Sequence, residues 1–144
     1  MKELTFAVFF TKRVSDKDYL LMAHSTGNSF WDVPKGGGEL NESAIESAIR
    51  EVWEEIGFKL KAEDLKDLGV FTYNAHKNMQ VFMYQGTNYP VAGECVCTST
   101  FTCPHTGRER PEVDAFEYVE FSEVPNRCAK SFNKVWNKYL EMKK

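Results

Sequence analysis

Apolar residues along the chain come first in short continuous runs and then at three- and four-residue spacing, and this change of period separates predicted strands from predicted helices. Leu4 to Phe10 and Tyr19 to Ala23 are compact β-prone runs. The charged segment Lys12 to Asp18 between them reads as a turn or hairpin loop, which would make the two runs neighbouring strands. After the polar turn Ser25-Thr26-Gly27-Asn28, the short apolar stretch Phe30 to Val33 meets Pro34-Lys35-Gly36-Gly37-Gly38. Those glycines are expected to hold a sharply bent backbone, since they enter dihedral regions closed to other residues.

The longest helical pattern runs from about Ser43 to Ile56, where Ile45, Ile49, Val52 and Ile56, with Ala48 beside them, form one stripe for packing on a sheet. Asn41 or Ser43 can cap its start. Ser43 followed three residues later by Glu46 fits a capping box, and Gly57 fits a C-terminal cap. Beyond it, Leu68 to Tyr73, Val81 to Tyr84, Glu94 to Phe101 and Ala115 to Phe121 have strand composition. Ala129 to Leu140 reads as a second amphipathic helix, with Phe132, Val135, Trp136, Tyr139 and Leu140 inward and Pro125 before it. The plan is mixed α/β, one domain over residues 1–144, with no repeat or linker.

Composition narrows the class without naming a chemistry. With 144 residues, 42% hydrophobic and 27% charged, the chain can bury roughly two thirds of its unfolded surface in one core. A formal charge of −3 argues against broad capture of nucleic acid but permits a local basic patch for an RNA or nucleotide end. There is no membrane-length apolar run, and Met1 to Thr11 lacks the pattern of a cleaved signal, so a reducing cytoplasm is the expected compartment. Cys95, Cys97, Cys103 and His105 raise the question of a Cys₃His zinc site. The one-residue spacing of Cys95 and Cys97 suits a strand better than a zinc turn, so these are read as packing residues, Cys128 likewise, and no structural zinc is expected. The P-loop, the serine-esterase elbow and the His-Glu-x-x-His zinc motif are all missing.

Charge along the first helix is harder to explain as solubility. Glu39, Glu42, Glu46, Glu51, Glu54 and Glu55 fall close together with Arg50 the basic residue among them. Glu51, Glu54 and Glu55 stand at i, i+3 and i+4, so a helical turn gathers their carboxylates beside one face, an arrangement suited to a hard divalent cation. The fork of Arg50 can bridge to Glu42, eight residues earlier, or to an adjacent carboxylate, and brace the glycine segment against the helix.

Read together, Gly36, five residues, Glu42, seven residues and then Arg50-Glu51-Val52-Trp53-Glu54-Glu55-Ile56-Gly57-Phe58 match the whole Nudix box, and the chain resembles the Nudix hydrolase family. The resemblance implies an α/β fold with a mixed sheet between helices, the box forming loop, helix and loop. It implies Glu51, Glu54 and Glu55 as catalytic metal ligands, helped by a backbone carbonyl near Lys35 or Gly36, with Gly36, Glu42 and Arg50 in support. Magnesium is the expected ion, manganese a substitute. Glu112, in Arg110-Pro111-Glu112-Val113-Asp114, resembles the late acidic loop that completes such sites and is the candidate general base. Pro34-Lys35-Gly36 resembles the entry motif of asymmetric dinucleoside polyphosphate hydrolases and of some mRNA-decapping relatives.

The expected reaction is metal-dependent hydrolysis of a diphosphate linkage in a nucleoside diphosphate derivative, foremost a dinucleoside polyphosphate. RNA 5′-end pyrophosphohydrolysis or decapping, nucleoside triphosphate pyrophosphohydrolysis, and a noncatalytic nucleotide-binding module are the alternatives. Lys35 is a candidate phosphate contact, and Trp31, Tyr73 and Phe101, with Phe30 and Tyr84, are candidate stacking residues. His24 and His76 are optional contacts. A monomer or small homo-oligomer is expected.

Overall fold

The computed structural model describes residues 2–98, 100–102 and 107–143. Its strands are β1 Glu3–Phe9, β2 Thr11–Val14, β3 Lys17–Ser25, β4 Trp31–Asp32, β5 Lys35–Gly37, β6 Leu65–Thr72, β7 Lys77–Tyr84, β8 Thr100–Thr102, β9 Glu109–Pro111 and β10 Val113–Glu120. The helices are α1 Ala44–Ile56, α2 Val124–Arg127 and α3 Lys130–Lys143. One mixed sheet has the order β5-β1-β7-β6, with β1 and β7 parallel and the outer pairs antiparallel. A second, antiparallel sheet has the order β10-β3-β2, with β4 also on β3, and β8 and β9 form a small separate ribbon.

Strand alternation splits the core into two layers. Ala7 and Phe9 of β1, Leu20 and Met22 of β3, and Met79 and Val81 of β7 face α3, where they meet Phe132, Val135, Trp136 and Tyr139. Phe6, Val8 and Phe10, with Leu21, Phe82 and Tyr84, face α1, where they meet Ala48, Val52 and Ile56. The sheets thus lie between α1 and α3, as the resemblance implies. Phe9 is fully buried, with the rings of Phe132, Trp136 and Tyr139 5.9, 6.0 and 5.1 Å away. Burying such a side chain stabilises the fold by roughly 1.5–3 kcal/mol.

Three sequence expectations change. The charged segment Lys12 to Asp18 is mostly paired strand, not loop, and the apolar runs on either side of it, expected as neighbouring strands, pair in different sheets. Val14 registers with Lys17, and the turn is only Ser15 and Asp16, both at positive φ (50° and 67°), the twist a two-residue hairpin needs. β2 is an edge strand, so its polar side chains reach water while its backbone pairs. The glycines at Lys35–Gly37 are extended and registered with Thr5–Ala7, not sharply bent.

The third change is at Glu94 to Phe101. Ala92–Glu94 forms a 3₁₀ turn, residues 95–98 are irregular, and strand begins at Thr100. The irregular stretch has other partners. The Thr98 N–H and hydroxyl donate to the Glu54 carbonyl at 2.7 and 3.1 Å, and the Val96 N–H donates to the Ile56 carbonyl at 3.0 Å. These satisfy carbonyls that the last turn of α1 leaves without helical donors. Cys103, His105 and the side chain of Phe101 lie outside the described residues.

Candidate active site

Helix α1 is set at both ends by local chemistry. Ser43 accepts from the Glu46 N–H at 3.1 Å while Glu46 accepts from the Ser43 N–H at 2.8 Å, the expected capping box. Gly57 closes the other end in the left-handed region (φ 73°), its N–H donating to the Trp53 carbonyl. The stripe Ala48, Val52 and Ile56 packs on the sheet, and the same turn buries Glu55, which is 6% exposed.

Gly36 explains why a glycine precedes this helix. A β-carbon there would overlap the Glu51 carboxylate, so the residue permits strand β5 to touch the helix instead of providing a bend. At Gly38 an added β-carbon would lie 2.9 Å from both the Phe6 ring and the Ser47 hydroxyl.

Arg50 organises the wet side of the site. Its Nε and Nη2 donate to the two Glu42 oxygens at 2.8 and 3.0 Å, and Nη2 also reaches the Gly37 carbonyl at 2.8 Å. Its Nη1 donates to Glu51 at 2.8 Å and to Glu54 at 3.0 Å. Glu42 is completed by the Ser47 hydroxyl at 2.9 Å and the Glu39 N–H at 3.0 Å. Hydrogen bonds from Arg50 lower the Glu42 pKa to about 2. The predicted Arg50–Glu42 bridge is therefore present and extends to the glycine strand.

On the inner side, Ala23, Ser25, Thr26, Asp32, Val33, Lys35, Glu55, Glu112 and Val113 line a cavity of about 270 Å³. Glu55 accepts from the Lys35 N–H at 3.2 Å. Burial pushes the Glu55 pKa up to about 8, with the charges of Glu51 and Glu112 acting the same way and Lys35 opposing. Burial also raises that of Glu51. The Lys35 ammonium stands 3.9 Å from Asp32, whose charge is the main cause of its raised pKa. Asp32 accepts from the Tyr73 hydroxyl at 2.6 Å and from the Val33 N–H at 2.8 Å.

Lys35, Glu55 and Glu112, far apart in sequence, thus share one pocket, and Glu51 lies against Gly36 beside it. Tyr73 is placed differently from a stacking residue: it packs on the α3-side core and spends its hydroxyl on Asp32. Trp31 is partly buried, 5.3 Å from the His24 ring, with the Arg127 guanidinium 5.3 Å over it. His24 in turn has Nδ1 2.5 Å from the Asp114 carboxylate. Tyr84 belongs to the α1-side core with Phe10, Phe58 and Tyr89, and its hydroxyl donates to the Asn88 carbonyl. Phe30 is half exposed in the turn before β4, and His76 stands in the β6–β7 turn. The sequence reading missed Asp32. The signal was an acidic residue three places before Lys35, but its tie to Tyr73 spans 41 residues.

The donor set suits a hard divalent cation. Asp32, Glu42, Glu51, Glu54, Glu55 and Glu112 supply only oxygen, and the cations set among them are Lys35 and Arg50. As the side chains stand, no three His, Cys, Asp or Glu groups among the described residues converge on one metal position. Arg50 bonds one oxygen each of Glu51 and Glu54, Oε1 of the first and Oε2 of the second. Cys95 lies apart from this set: its thiol donates to the Val91 carbonyl at 3.4 Å, and burial lifts its pKa to about 11. No helix among the described residues is long and apolar enough to cross a membrane.

Comparison with known proteins agrees with this arrangement. An uncharacterized 17.7 kDa protein from the e-segB intergenic region of Enterobacteria phage T4 is 39% identical over 132 residues, 83% of each chain. Among solved structures, the NUDIX domain of Shewanella oneidensis NrtR, complexed with ADP ribose, superposes with a TM-score of 0.72 at 11% identity, covering 100% of this chain and 90% of that one. A C. elegans Ap4A hydrolase binary complex gives 0.66 at 13% identity, with 97% and 96% covered. These two likenesses concern the fold. Residues 1–140 match the sequence model of the NUDIX domain, and with its whole box present the chain belongs to the NUDIX family as a Nudix-type pyrophosphohydrolase.

Proposed function

We propose that this protein hydrolyses the diphosphate linkage of a nucleoside diphosphate derivative, foremost a dinucleoside polyphosphate. The observation that carries the reading is the shared pocket of Lys35, Glu55 and Glu112 beside the Arg50-braced Glu51 and Glu54. The likeness of the Pro34-Lys35-Gly36 entry to that of asymmetric dinucleoside polyphosphate hydrolases and the fold likeness to an Ap4A hydrolase support this substrate.

Glu51, Glu54 and Glu55 would hold magnesium, with manganese substituting, and that ion would offset phosphate charge and acidify water. Arg50, itself braced by Glu42, holds Glu51 and Glu54 on α1. Lys35 contacts a phosphate oxygen. Glu112 accepts the proton of the attacking water, whose oxygen bonds to phosphorus as the bridging P–O bond breaks. The products are two phosphate-bearing fragments, with no covalent enzyme intermediate.

The test of roles is Glu112→Gln, which keeps size but cannot take the proton. Its single-turnover rate on diadenosine tetraphosphate should fall about 10²-fold while magnesium and substrate binding change little. A near-normal chemical rate across pH removes Glu112 as base; an equal loss of metal binding makes it a ligand.

A further inference from the structure

Resting on the anhydride-hydrolase reading, we infer that Tyr73 and Asp32 are positioning residues, a hydroxyl-to-carboxylate clamp that aims the Lys35 ammonium at the substrate's diphosphate.

Lysine carries a compact charge on a flexible four-carbon stem and does not orient itself, unlike the planar fork of arginine. Its aim must come from a neighbour, and in the pocket that neighbour is Asp32, 3.9 Å away. The distance matters. It lies beyond the usual hydrogen-bond range, so Asp32 draws the ammonium without consuming its donors, which stay available to phosphate oxygens. Asp32 is itself held on both oxygens, Oδ1 by the Val33 N–H at 2.8 Å and Oδ2 by the Tyr73 hydroxyl at 2.6 Å.

The strand bearing Asp32 is only two residues long, so the ladder alone fixes its carboxylate weakly. Tyr73 supplies the rigidity. It packs on the core that holds α3. A phenylalanine would fill the same space in the core, so the hydroxyl has a purpose beyond packing. The line Tyr73, Asp32, Lys35 runs from the α3-side core into the cavity that Glu55 and Glu112 make acidic. A diphosphate entering that cavity needs a fixed cation there.

The test is a double-mutant cycle on binding, with methylenediphosphonate and magnesium as the probe, read by calorimetry, alongside thermal unfolding of each variant. Tyr73→Phe should stay folded and weaken binding about tenfold, the usual scale for losing a hydrogen bond to a charged group. Lys35→Met should weaken it at least as much, and adding Tyr73→Phe to Lys35→Met should cost nothing further, because the clamp acts only through Lys35. In turnover of diadenosine tetraphosphate, the Tyr73→Phe loss should fall mainly on KM. Unchanged affinity in Tyr73→Phe, or a full tenfold loss retained in the Lys35→Met background, overturns the clamp while leaving the hydrolase reading intact. A wild-type protein that binds no methylenediphosphonate overturns both.

Discussion

Arg50 and Lys35 are both cations set among carboxylates, and they are held in opposite ways. Arg50 has its fork filled, with hydrogen bonds of 2.8–3.0 Å to Glu42, Glu51, Glu54 and the Gly37 carbonyl. Lys35 has a carboxylate at 3.9 Å and an open cavity beside it. A saturated planar cation joins strand β5 to helix α1 and holds two box carboxylates in place. A point charge at the margin of contact is ready to exchange partners. The contrast separates bracing from binding within one acidic site, and it can be broken experimentally on either side.

The largest effect is expected on the pocket side. Glu55→Gln keeps the buried shape but removes a carboxyl able to ionise against a divalent ion, and turnover should drop roughly 10²- to 10³-fold at saturating magnesium with little change in thermal stability. Steady-state kinetics and a melting curve decide it; unchanged turnover would show that the pocket beside Lys35 is not where the chemistry occurs.

A middle-sized effect is expected from Arg50→Lys, which keeps the charge and loses the fork. Unfolding by denaturant should show a loss of about 1–3 kcal/mol, since several charge-assisted hydrogen bonds go at once. Turnover should fall about tenfold. The reverse swap, Lys35→Arg, should leave stability nearly untouched and raise KM; equal stability losses in both variants would erase the distinction.

The smallest effect concerns acid. Glu42 has a folded pKa of about 2 against an ordinary 4.5, so the stability it contributes is full above about pH 4.5 and drains away as pH falls toward 2. Glu42→Gln lacks that dependence. The stability gap between wild type and Glu42→Gln should therefore narrow from about pH 7 to about pH 3, as followed by chemical denaturation; a constant gap would mean that Arg50 does not favour the Glu42 charge.

Much of the wet side was legible in the residue pattern. Ser43 with Glu46, Gly57, and the i, i+3, i+4 carboxylates depend on helical spacing alone, and α1 has those features as expected. Arg50 to Glu42 was also readable, because the box spacing brings the loop back along the helix. Gly36 was assigned the wrong cause: the sequence shows a glycine but not that Glu51 fills the space where a side chain would be. The Lys35 side depends on contacts across the sheet, Tyr73 to Asp32 over 41 residues, which no local period encodes. The stretch Cys95 to Thr98 misled for a related reason. Its β-prone residues find their backbone partners at the end of α1, so a segment with strand composition serves as a helix cap.

The most direct test of the central claim is hydrolysis of diadenosine tetraphosphate in ¹⁸O-labelled water with magnesium, with each product fragment identified by mass. The account predicts cleavage within the phosphate chain, one labelled oxygen on a single phosphate fragment, and near-complete loss of the reaction in Glu55→Gln. Folded wild-type protein that binds the nucleotide yet cleaves no phosphoanhydride, or that cleaves it equally well with Glu55→Gln, would contradict it.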